Sequence, residues 1–245
     1  MHESANEHIL ERLLEDNQEL AAHNREHFDE SGTFVVNFMS APGAGKTTLI
    51  AATAKAAFRD GVSLCVIEGD MVGELDCERL RSADVPAFQI STGRSCHLDA
   101  RMVAQVLHDQ KLPESDLLFI ENVGNLVCPA EFPLGEHLRI VLLSVTEGDD
   151  KPFKYPVIFR NCDAVVFTKC DLLPFVDFSI ERAAKFVDAV NPDASVFTVS
   201  ARSGEGLLEW VDWLTSKLEA AASTGARPSS AQDATAAGSV ISASG

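Results

Sequence analysis

The pattern of hydrophobic positions along the chain predicts an α/β protein. Short apolar runs with the length of β-strands alternate with longer stretches in which apolar residues recur at helical spacing. The apolar runs lie at residues 34–39, 63–68, 117–121, 140–145, 164–168 and 196–200. This alternation is typical of a mostly parallel sheet with helices on both faces, and we expect that architecture for residues 31–221.

The two ends of the chain do not follow this alternation. In residues 1–30, leucine, isoleucine and alanine recur at helical spacing among acidic and polar residues, which predicts an amphipathic helical segment packed on the main domain or on a partner. We interpret its histidines as part of a solvent-exposed helix face rather than as metal ligands, because only His23 and His27 are spaced to meet. Residues 222–245 consist mainly of alanine, serine, glycine and threonine, and we expect a disordered tail there.

The acidic composition restricts the choice of partners. The chain has 20 Lys and Arg residues against 37 Asp and Glu residues, a net charge of −17 at pH 7. Such a surface repels nucleic acids and anionic membranes, so we expect neither as a partner. The N-terminal sequence lacks a signal-peptide pattern and no apolar run could span a bilayer, which predicts a cytoplasmic protein. In a cytoplasmic domain of this size, the six cysteines are expected to be core residues or metal ligands rather than disulfides.

The first predicted strand leads into a glycine-containing loop that resembles a phosphate-binding loop. Residues 40–48 read Ser-Ala-Pro-Gly-Ala-Gly-Lys-Thr-Thr, with Ser40 where the usual pattern has glycine. The backbone N–H groups of such a loop and of the following helix N-terminus bind anionic phosphates. We expect Lys46 to contact the terminal phosphates and the Thr47 hydroxyl to bind Mg²⁺. The predicted fold class is therefore a P-loop NTPase, with nucleotide contacts from Gly43, Ala44, Gly45, Lys46, Thr47 and Thr48.

Acidic residues follow two further predicted strands, at the sheet edge where nucleotides bind. Glu121 ends the run 117–121 in the manner of a Walker B carboxylate, and the N–H group of Gly124 would then contact the terminal phosphate. Asp70 follows the run 63–68 and could bind Mg²⁺ or orient the attacking water, with a helix N-cap as the alternative. The predicted catalytic residues are Lys46, Asp70, Glu121 and Gly124, and the predicted Mg²⁺ ligands are Thr47, Asp70 and Glu121.

Two later motifs predict recognition of guanine. Thr168-Lys169-Cys170-Asp171 has the form of a guanine-recognition motif, with threonine where asparagine is more usual. The carboxylate of Asp171 can accept the N1–H and 2-amino protons of guanine, and adenine offers neither donor. Ser200 and Ala201 resemble the loop whose backbone N–H meets guanine O6. Because both motifs occur in order and each follows an apolar run, the sequence favours GTP over ATP.

Three residues outside these motifs have side chains suited to a transition metal. Cys96 and His97 are adjacent, and Cys128 lies four residues beyond Gly124 of the predicted switch. Thiolate and imidazole ligands suit Zn²⁺ and Ni²⁺. Three ligands are too few for a closed structural site, which suggests that a second copy of the chain supplies the rest across a two-fold axis. Buried cysteines beside a surface histidine are the alternative interpretation.

Together these motifs resemble those of the hydrogenase nickel-incorporation GTPases, the HypB family of metallochaperones in the SIMIBI class of P-loop GTPases. The resemblance covers residues 34 to about 215 and is carried by residues 40–48, 68–70, 95–99, 121–129, 147–156 and 168–174. The adjacent Cys-His pair and the run Glu-Asn-Val-Gly-Asn-Leu are its most specific parts. The resemblance implies that Cys96, His97 and Cys128 bind nickel or zinc at a nucleotide-dependent dimer interface.

The resemblance further implies a homodimeric, Mg²⁺-dependent GTPase that delivers nickel to the large subunit of a [NiFe] hydrogenase together with other hydrogenase accessory proteins. A urease accessory GTPase shares the nucleotide motifs, but its metal pair is Cys-Pro-His rather than the adjacent Cys96-His97 seen here. Two alternatives come from other classes. One is a metal-binding assembly protein in which GTP is structural, and the other is a small-molecule phosphotransferase, which Asp171 disfavours.

Overall fold

The computed structural model describes residues 2–59, 61–71, 73–110 and 112–223. Residues 224–245, which make up nearly all of the predicted tail, lie outside this part of the chain. At residues 222 and 223, where the tail is predicted to begin, the chain is still helical.

Within these described residues, a seven-stranded sheet forms the centre of the fold, and every pair of neighbouring strands in it is parallel. The strands are β1 (Phe34–Ser40), β2 (Leu64–Asp70), β3 (Ala87–Ser91), β4 (Leu117–Glu121), β5 (Leu138–Ser144), β6 (Ala164–Thr168) and β7 (Ser195–Val199). Their order in the sheet is β3-β2-β4-β1-β5-β6-β7, which confirms the predicted fold class. All six predicted strands are present, with boundaries shifted by at most two residues.

Sequence reasoning missed β3, which occupies one edge of the sheet. Among the described residues, β3 pairs with β2 alone, and of its side chains only those of Ala87 and Ile90 are buried. An edge strand needs apolar side chains only where it meets the core, so β3 has no continuous apolar run that would identify it.

Helices cover both faces of the sheet. They are α1 (His2–Ser31), α2 (Lys46–Arg59), α3 (Leu75–Ser82), α4 (Ala100–Asp109), α5 (Lys151–Lys154), α6 (Pro156–Arg160), α7 (Ile180–Val190) and α8 (Leu207–Ser223). Alternate side chains of β1 enter different cores: Phe34, Val36 and Phe38 pack with α2 and α8, whereas Val35 packs on the opposite face near α4. In the described part of the chain, no helix combines the length and apolar character needed to cross a bilayer.

Helix α1 packs against α4 and against the segment that precedes β5. Its C-terminal half buries Ala21 and Phe28, whereas Ile9 and Leu10 nearer its N-terminus are exposed. Gly135 has a φ of +98°, and a Cβ atom there would lie 2.7 Å from the carbonyl oxygen of Ala21. A glycine is therefore needed where this segment meets the backbone of α1.

Candidate nucleotide and metal site

The loop between β1 and α2 has the backbone geometry of a phosphate cradle. Gly43 and Gly45 have φ values of +73° and +94°, a region that glycine enters without steric cost. The Lys46 ammonium is buried and donates to Ser40 Oγ at 3.1 Å. Burial lowers the pKa of Lys46, and the nearby charge of Glu121 opposes that shift. Ser40, at the position that the usual motif gives to glycine, thus serves as the acceptor for the loop lysine.

Two carboxylates lie side by side at the end of the sheet next to this loop. The register of β2 and β4 pairs Glu68 with Glu121, and Thr47 Oγ1 donates to Glu121 Oε1 at 2.8 Å. The Oε2 atoms of both glutamates are buried and have no hydrogen-bond partner among the described residues. Burial raises the pKa of Glu121 to about 7, and burial together with the Glu121 charge raises that of Glu68 to about 8. Such oxygens fit a hard divalent cation, which would supply the missing charge partner.

The structure places Asp70 at the same edge but with a different contact. Its Oδ1 atom accepts the Met71 N–H at 2.6 Å, whereas Glu68 is the carboxylate beside Glu121. Sequence reasoning therefore missed Glu68. The signal was available, because residues 68 and 70 share one face of a strand and a carboxylate inside a buried run needs a partner. Asp76 on α3 was also missed, and its charge acts on both Lys46 and Glu121.

The predicted switch begins directly after β4 and touches the phosphate loop. A Cβ atom on Gly124 would lie 2.8 Å from Pro42 Cα and 2.9 Å from Pro42 N. A Cβ atom does not approach non-bonded backbone atoms this closely without a shift of the backbone, so glycine is the residue that fits at this position. The contact brings Gly124 against the loop that carries Lys46, which makes it a candidate for sensing the terminal phosphate.

A cavity of about 200 Å³ opens beside the phosphate loop and contains the predicted guanine motif. Thr168 Oγ1 donates to the Ala44 carbonyl oxygen at 2.6 Å, and Lys169 Nζ donates to that of Gly43 at 2.6 Å. These two residues therefore brace the loop backbone. The cavity is lined by Ala44, Gly45, Thr48, Leu49, Thr168, Lys169, Asp171, Leu172, Val199, Ala201 and Arg202.

The side chains around Asp171 hold its carboxylate in place. Ser200 Oγ donates to Asp171 Oδ1 at 2.6 Å. The backbone N–H of Ser200 donates to the Glu205 carbonyl oxygen at 2.9 Å, so it is not the free donor for guanine O6 that the sequence suggested. Ala201, the other residue of that prediction, lines the cavity. Arg202, which sequence reasoning did not select, lines the same cavity.

The three predicted transition-metal ligands meet at the protein surface. Cys96 Sγ lies 3.3 Å from Cys128 Sγ and 3.9 Å from His97 Nδ1. One ligand atom from each residue lies within 4.8 Å of the others. Partial burial lowers the pKa of His97, which favours the neutral imidazole that binds metals. The pair of sulfurs and the imidazole are a donor set for a borderline-soft divalent cation.

The parallel sheet and the phosphate-binding loop between β1 and α2 together define the class of protein, which is a P-loop nucleotide-binding protein. A model of the CobW/HypB/UreG nucleotide-binding domain matches residues 34–198, and the chain belongs to this family, within which its relatives place it among the HypB proteins.

Three comparisons support this assignment. Hydrogenase maturation factor HypB of Azotobacter vinelandii is 49% identical over 206 residues, which cover 84% of this chain and 68% of that protein. Hydrogenase/urease maturation factor HypB of Helicobacter pylori strain J99 is 41% identical, covering 85% of this chain and 87% of that protein. The crystal structure of HypB from Helicobacter pylori in complex with nickel has a TM-score of 0.78 and 40% identity, covering 84% of this chain and 96% of that chain.

Proposed function

We propose that the protein is a GTP-hydrolysing nickel metallochaperone that assists insertion of nickel into the large subunit of a [NiFe] hydrogenase. The observation that carries this proposal is the convergence of Cys96, His97 and Cys128 beside the switch of a nucleotide-binding domain. The relatives named hydrogenase maturation factors and the HypB structure in complex with nickel point to the same cargo.

Selection of GTP falls to the cavity beside the phosphate loop. The Asp171 carboxylate accepts hydrogen bonds from the N1–H and 2-amino groups of guanine, and the hydroxyl of Ser200 orients this carboxylate. Ala201 provides a backbone N–H for guanine O6, while the side chains of Thr168 and Lys169 keep the phosphate loop in position. A site arranged in this way discriminates against adenine because its carboxylate would be left unpaired.

The phosphates occupy the loop formed by Gly43, Ala44 and Gly45 with the first residues of α2, including Thr48. Lys46 leaves Ser40 and contacts the terminal phosphate, where it stabilises the negative charge that develops during hydrolysis. Thr47 and Glu121 would hold Mg²⁺, with Glu68 beside them and Asp70 at the same edge. When bound, Mg²⁺ neutralises phosphate charge and orients the phosphate oxygens.

Water is the nucleophile in this proposal, and Asp70 or Glu68 orients it. The Gly124 N–H contacts the terminal phosphate, so loss of that phosphate frees the switch. Because Cys128 follows in the same loop, the switch and the metal ligands move together. Hydrolysis would therefore change the metal site and release the nickel.

Completion of the metal site requires a second copy of the chain. Three ligands leave nickel or zinc partly open, and exposure of Cys96 leaves room for a partner. We propose a homodimer, formed when GTP and metal are bound, that pools the ligands of both copies. Its further partners are the hydrogenase accessory proteins and the large subunit, and its location is the cytoplasm, where thiols stay reduced and able to bind metal.

A metal titration with and without a non-hydrolysable GTP analogue tests the proposal, with oligomeric state measured alongside. We expect nickel to bind with Cys96 and Cys128 as ligands and dimerisation to increase when nickel and the analogue are both present. Nickel binding that is the same with and without the GTP analogue would instead favour a metal-binding assembly protein in which GTP is structural.

Urease is a second candidate client, because the similar Helicobacter pylori protein is named a hydrogenase/urease maturation factor. The two candidate clients are distinguished by testing whether the nickel-loaded protein activates apo-urease or an apo-hydrogenase large subunit. We expect activation of the hydrogenase.

A further inference from the structure

The backbone of the loop that carries Cys96 and His97 is held by asparagine side chains from two directions. On the switch side, Asn122 Oδ1 accepts the Leu98 N–H at 3.0 Å. Asn125 Nδ2 donates to the Cys96 carbonyl oxygen at 3.3 Å. These contacts tie the metal-binding loop to the residues that follow β4.

Helix α1 contacts the residue at which this loop ends and α4 begins. Asn17 Oδ1 accepts the Ala100 N–H at 2.8 Å, and Asn24 Nδ2 donates to the Ala100 carbonyl oxygen at 2.8 Å. Ala100 is the first residue of α4 and lies three residues after His97. Both backbone groups of this residue are therefore fixed by side chains of α1.

The same two asparagines also hold the segment that carries the third ligand. Asn17 Nδ2 donates to the Pro133 carbonyl oxygen at 2.9 Å, and Asn24 Nδ2 donates to that of Leu134 at 3.0 Å. Pro133 lies five residues after Cys128. Each asparagine thus bridges the two chain segments whose cysteine sulfurs meet at the metal site.

Because these side chains are buried, breaking their hydrogen bonds carries a free-energy cost. Asn24 is 1% exposed and Asn17 is 6% exposed. A buried amide that loses its partners leaves polar groups unsatisfied, so α1 cannot shift without cost to both segments. Apolar contacts through Ala21 and Phe28 already attach α1 to the domain. Attachment alone does not require asparagines that contact both ligand-bearing segments.

We propose that α1 is a positioning element for the metal site, in which Asn17 and Asn24 set the separation of the segments bearing Cys96, His97 and Cys128. This inference rests on the proposed function, because it assumes that these three residues bind nickel. The metal affinity then depends on how α1 is docked, and by linkage nickel stabilises the docking of α1 in return. Outer partners that orient metal ligands commonly contribute 10- to 100-fold to affinity.

The first test replaces the asparagines singly and measures Ni²⁺ binding. Asn17→Ala and Asn24→Ala should each weaken Ni²⁺ affinity by about tenfold or more and alter the thiolate-to-nickel absorption band. Gln18→Ala is the matched control, because Gln18 is exposed and directly follows Asn17 on the same helix. This variant should bind Ni²⁺ like the parent. GDP affinity should be unchanged in all three, because α1 does not contribute to the nucleotide cavity.

A parent-like Ni²⁺ affinity and absorption band in both asparagine variants would overturn the positioning role while leaving the proposed function intact. Failure of the parent itself to bind Ni²⁺ through Cys96 and Cys128 would overturn the proposed function, and this inference with it. The two failures are therefore distinguishable.

A second test uses the parent protein and stands even if the variants fail to fold. Hydrogen exchange of the α1 amides at residues 14–24 should slow when Ni²⁺ is added, because the metal stabilises the segments to which α1 is hydrogen-bonded. Cys128→Ser with the same Ni²⁺ concentration should show no such slowing. Unchanged exchange in the Ni²⁺-saturated parent would overturn the inference.

Discussion

Asp171 and Lys46 show how much of the proposed chemistry depends on single side chains. One is a carboxylate that accepts a hydrogen bond from Ser200 and lines the cavity beside the phosphate loop, and the other is a buried ammonium that donates to Ser40. Each has a hydrogen-bond partner that fixes its position before the nucleotide binds. Substitution at either residue therefore tests one contact rather than the whole site.

Replacing the Asp171 carboxylate, which we propose binds the guanine base, should change which nucleotide the protein prefers. In Asp171→Asn the amide N–H faces the guanine 2-amino group, so GTP affinity should fall by about tenfold or more. Xanthine has a carbonyl group at that position, and XTP affinity should rise. Competition binding with GTP, XTP and ATP measures the change, with Ser200→Ala expected to weaken GTP binding less. Unaltered GTP affinity in Asp171→Asn would contradict the guanine assignment.

Removing the ammonium of the phosphate loop should abolish hydrolysis. Lys46→Ala leaves the charge that develops on the terminal phosphate uncompensated, a loss of about 3 kcal/mol or more. Phosphate release under single-turnover conditions measures the effect. Lys55→Ala, an exposed lysine on the same helix, is the control and should hydrolyse GTP at the parental rate. A Lys46→Ala rate within about tenfold of the parent would show that the loop is wrongly assigned.

At the scale of secondary-structure elements, the switch after β4 and the end of α1 are the two junctions that matter most. Gly124 touches the phosphate loop at Pro42. At the end of α1, His137 Nε2 lies 2.9 Å from Asp29 Oδ1, and His137 Nδ1 accepts the Val35 N–H at 2.9 Å. One histidine thus joins α1 to β1.

A methyl group on the switch glycine should disturb the phosphate loop. In Gly124→Ala the new Cβ would collide with the Pro42 backbone, so the switch and the loop must move apart. We expect GTP hydrolysis to fall by about tenfold or more, with a smaller effect on GDP affinity. Val127→Ala, at an exposed position in the same segment, is the control and should hydrolyse GTP normally. Normal turnover in Gly124→Ala would mean that this contact is dispensable.

Acidification should loosen the junction between α1 and β1. Burial lowers the pKa of His137, and a proton on Nδ1 would face the Val35 N–H donor. The unfolded chain therefore takes up this proton first as pH falls below about 6.5, and stability falls with it. The loss is at most about 1.4 kcal/mol per pH unit.

Urea unfolding at pH 7.5 and pH 5.5 measures this loss. The decrease between the two pH values should be smaller in His137→Gln than in the parent. His108→Gln, which alters an exposed histidine, should retain the parental decrease. Equal decreases in all three proteins would exclude His137 as the titrating group.

Sequence reasoning reached the motifs but not all of their partners. The P-loop, Glu121, Asp171 and the metal ligands could be selected because each combines distinctive residue types with a fixed spacing. The position of Glu68 inside a buried run was a signal in the sequence, but its pairing with Glu121 depends on the register between β2 and β4, which the order of residues does not reveal.

The asparagine bridges of α1 were equally hidden from sequence reasoning. They join residues far apart in the sequence, and the partners of Asn17 and Asn24 are backbone atoms. Backbone atoms are present at every position, so no residue pattern identifies them.

For the whole molecule, the proposed function requires that nucleotide, metal and dimerisation be coupled. Gly124 and Cys128 lie four residues apart in the segment that connects β4 to β5, so a change at the terminal phosphate should alter a predicted metal ligand. By linkage, Ni²⁺ should in turn change the affinity for the nucleotide. Coupling in both directions would distinguish a gated metal site from an incidental one.

We expect the parent to bind Ni²⁺ at least about fivefold more tightly with a GTP analogue than with GDP. In Cys128→Ala, Ni²⁺ affinity should fall and the difference between the two nucleotide states should disappear, while affinity for the analogue without metal is retained. Calorimetry with light scattering measures affinity and dimerisation in the same samples. Cys77→Ala is the control, because Cys77 is a buried cysteine on α3 that does not belong to the cluster of Cys96, His97 and Cys128. Equal Ni²⁺ affinities in the two nucleotide states of the parent would show that the site is not gated.

The position of β1 in the sheet also determines when the protein can fold during its synthesis. β1 is central and pairs with β4 and β5, yet it leaves the ribosome long before residues 117–121 and 138–144 have been made. Until then its apolar side chains have no neighbouring strands, and pairings this distant in sequence form slowly. The nascent chain is therefore aggregation-prone over this interval, and the phosphate loop that follows β1 acquires its shape only after most of the domain has been translated.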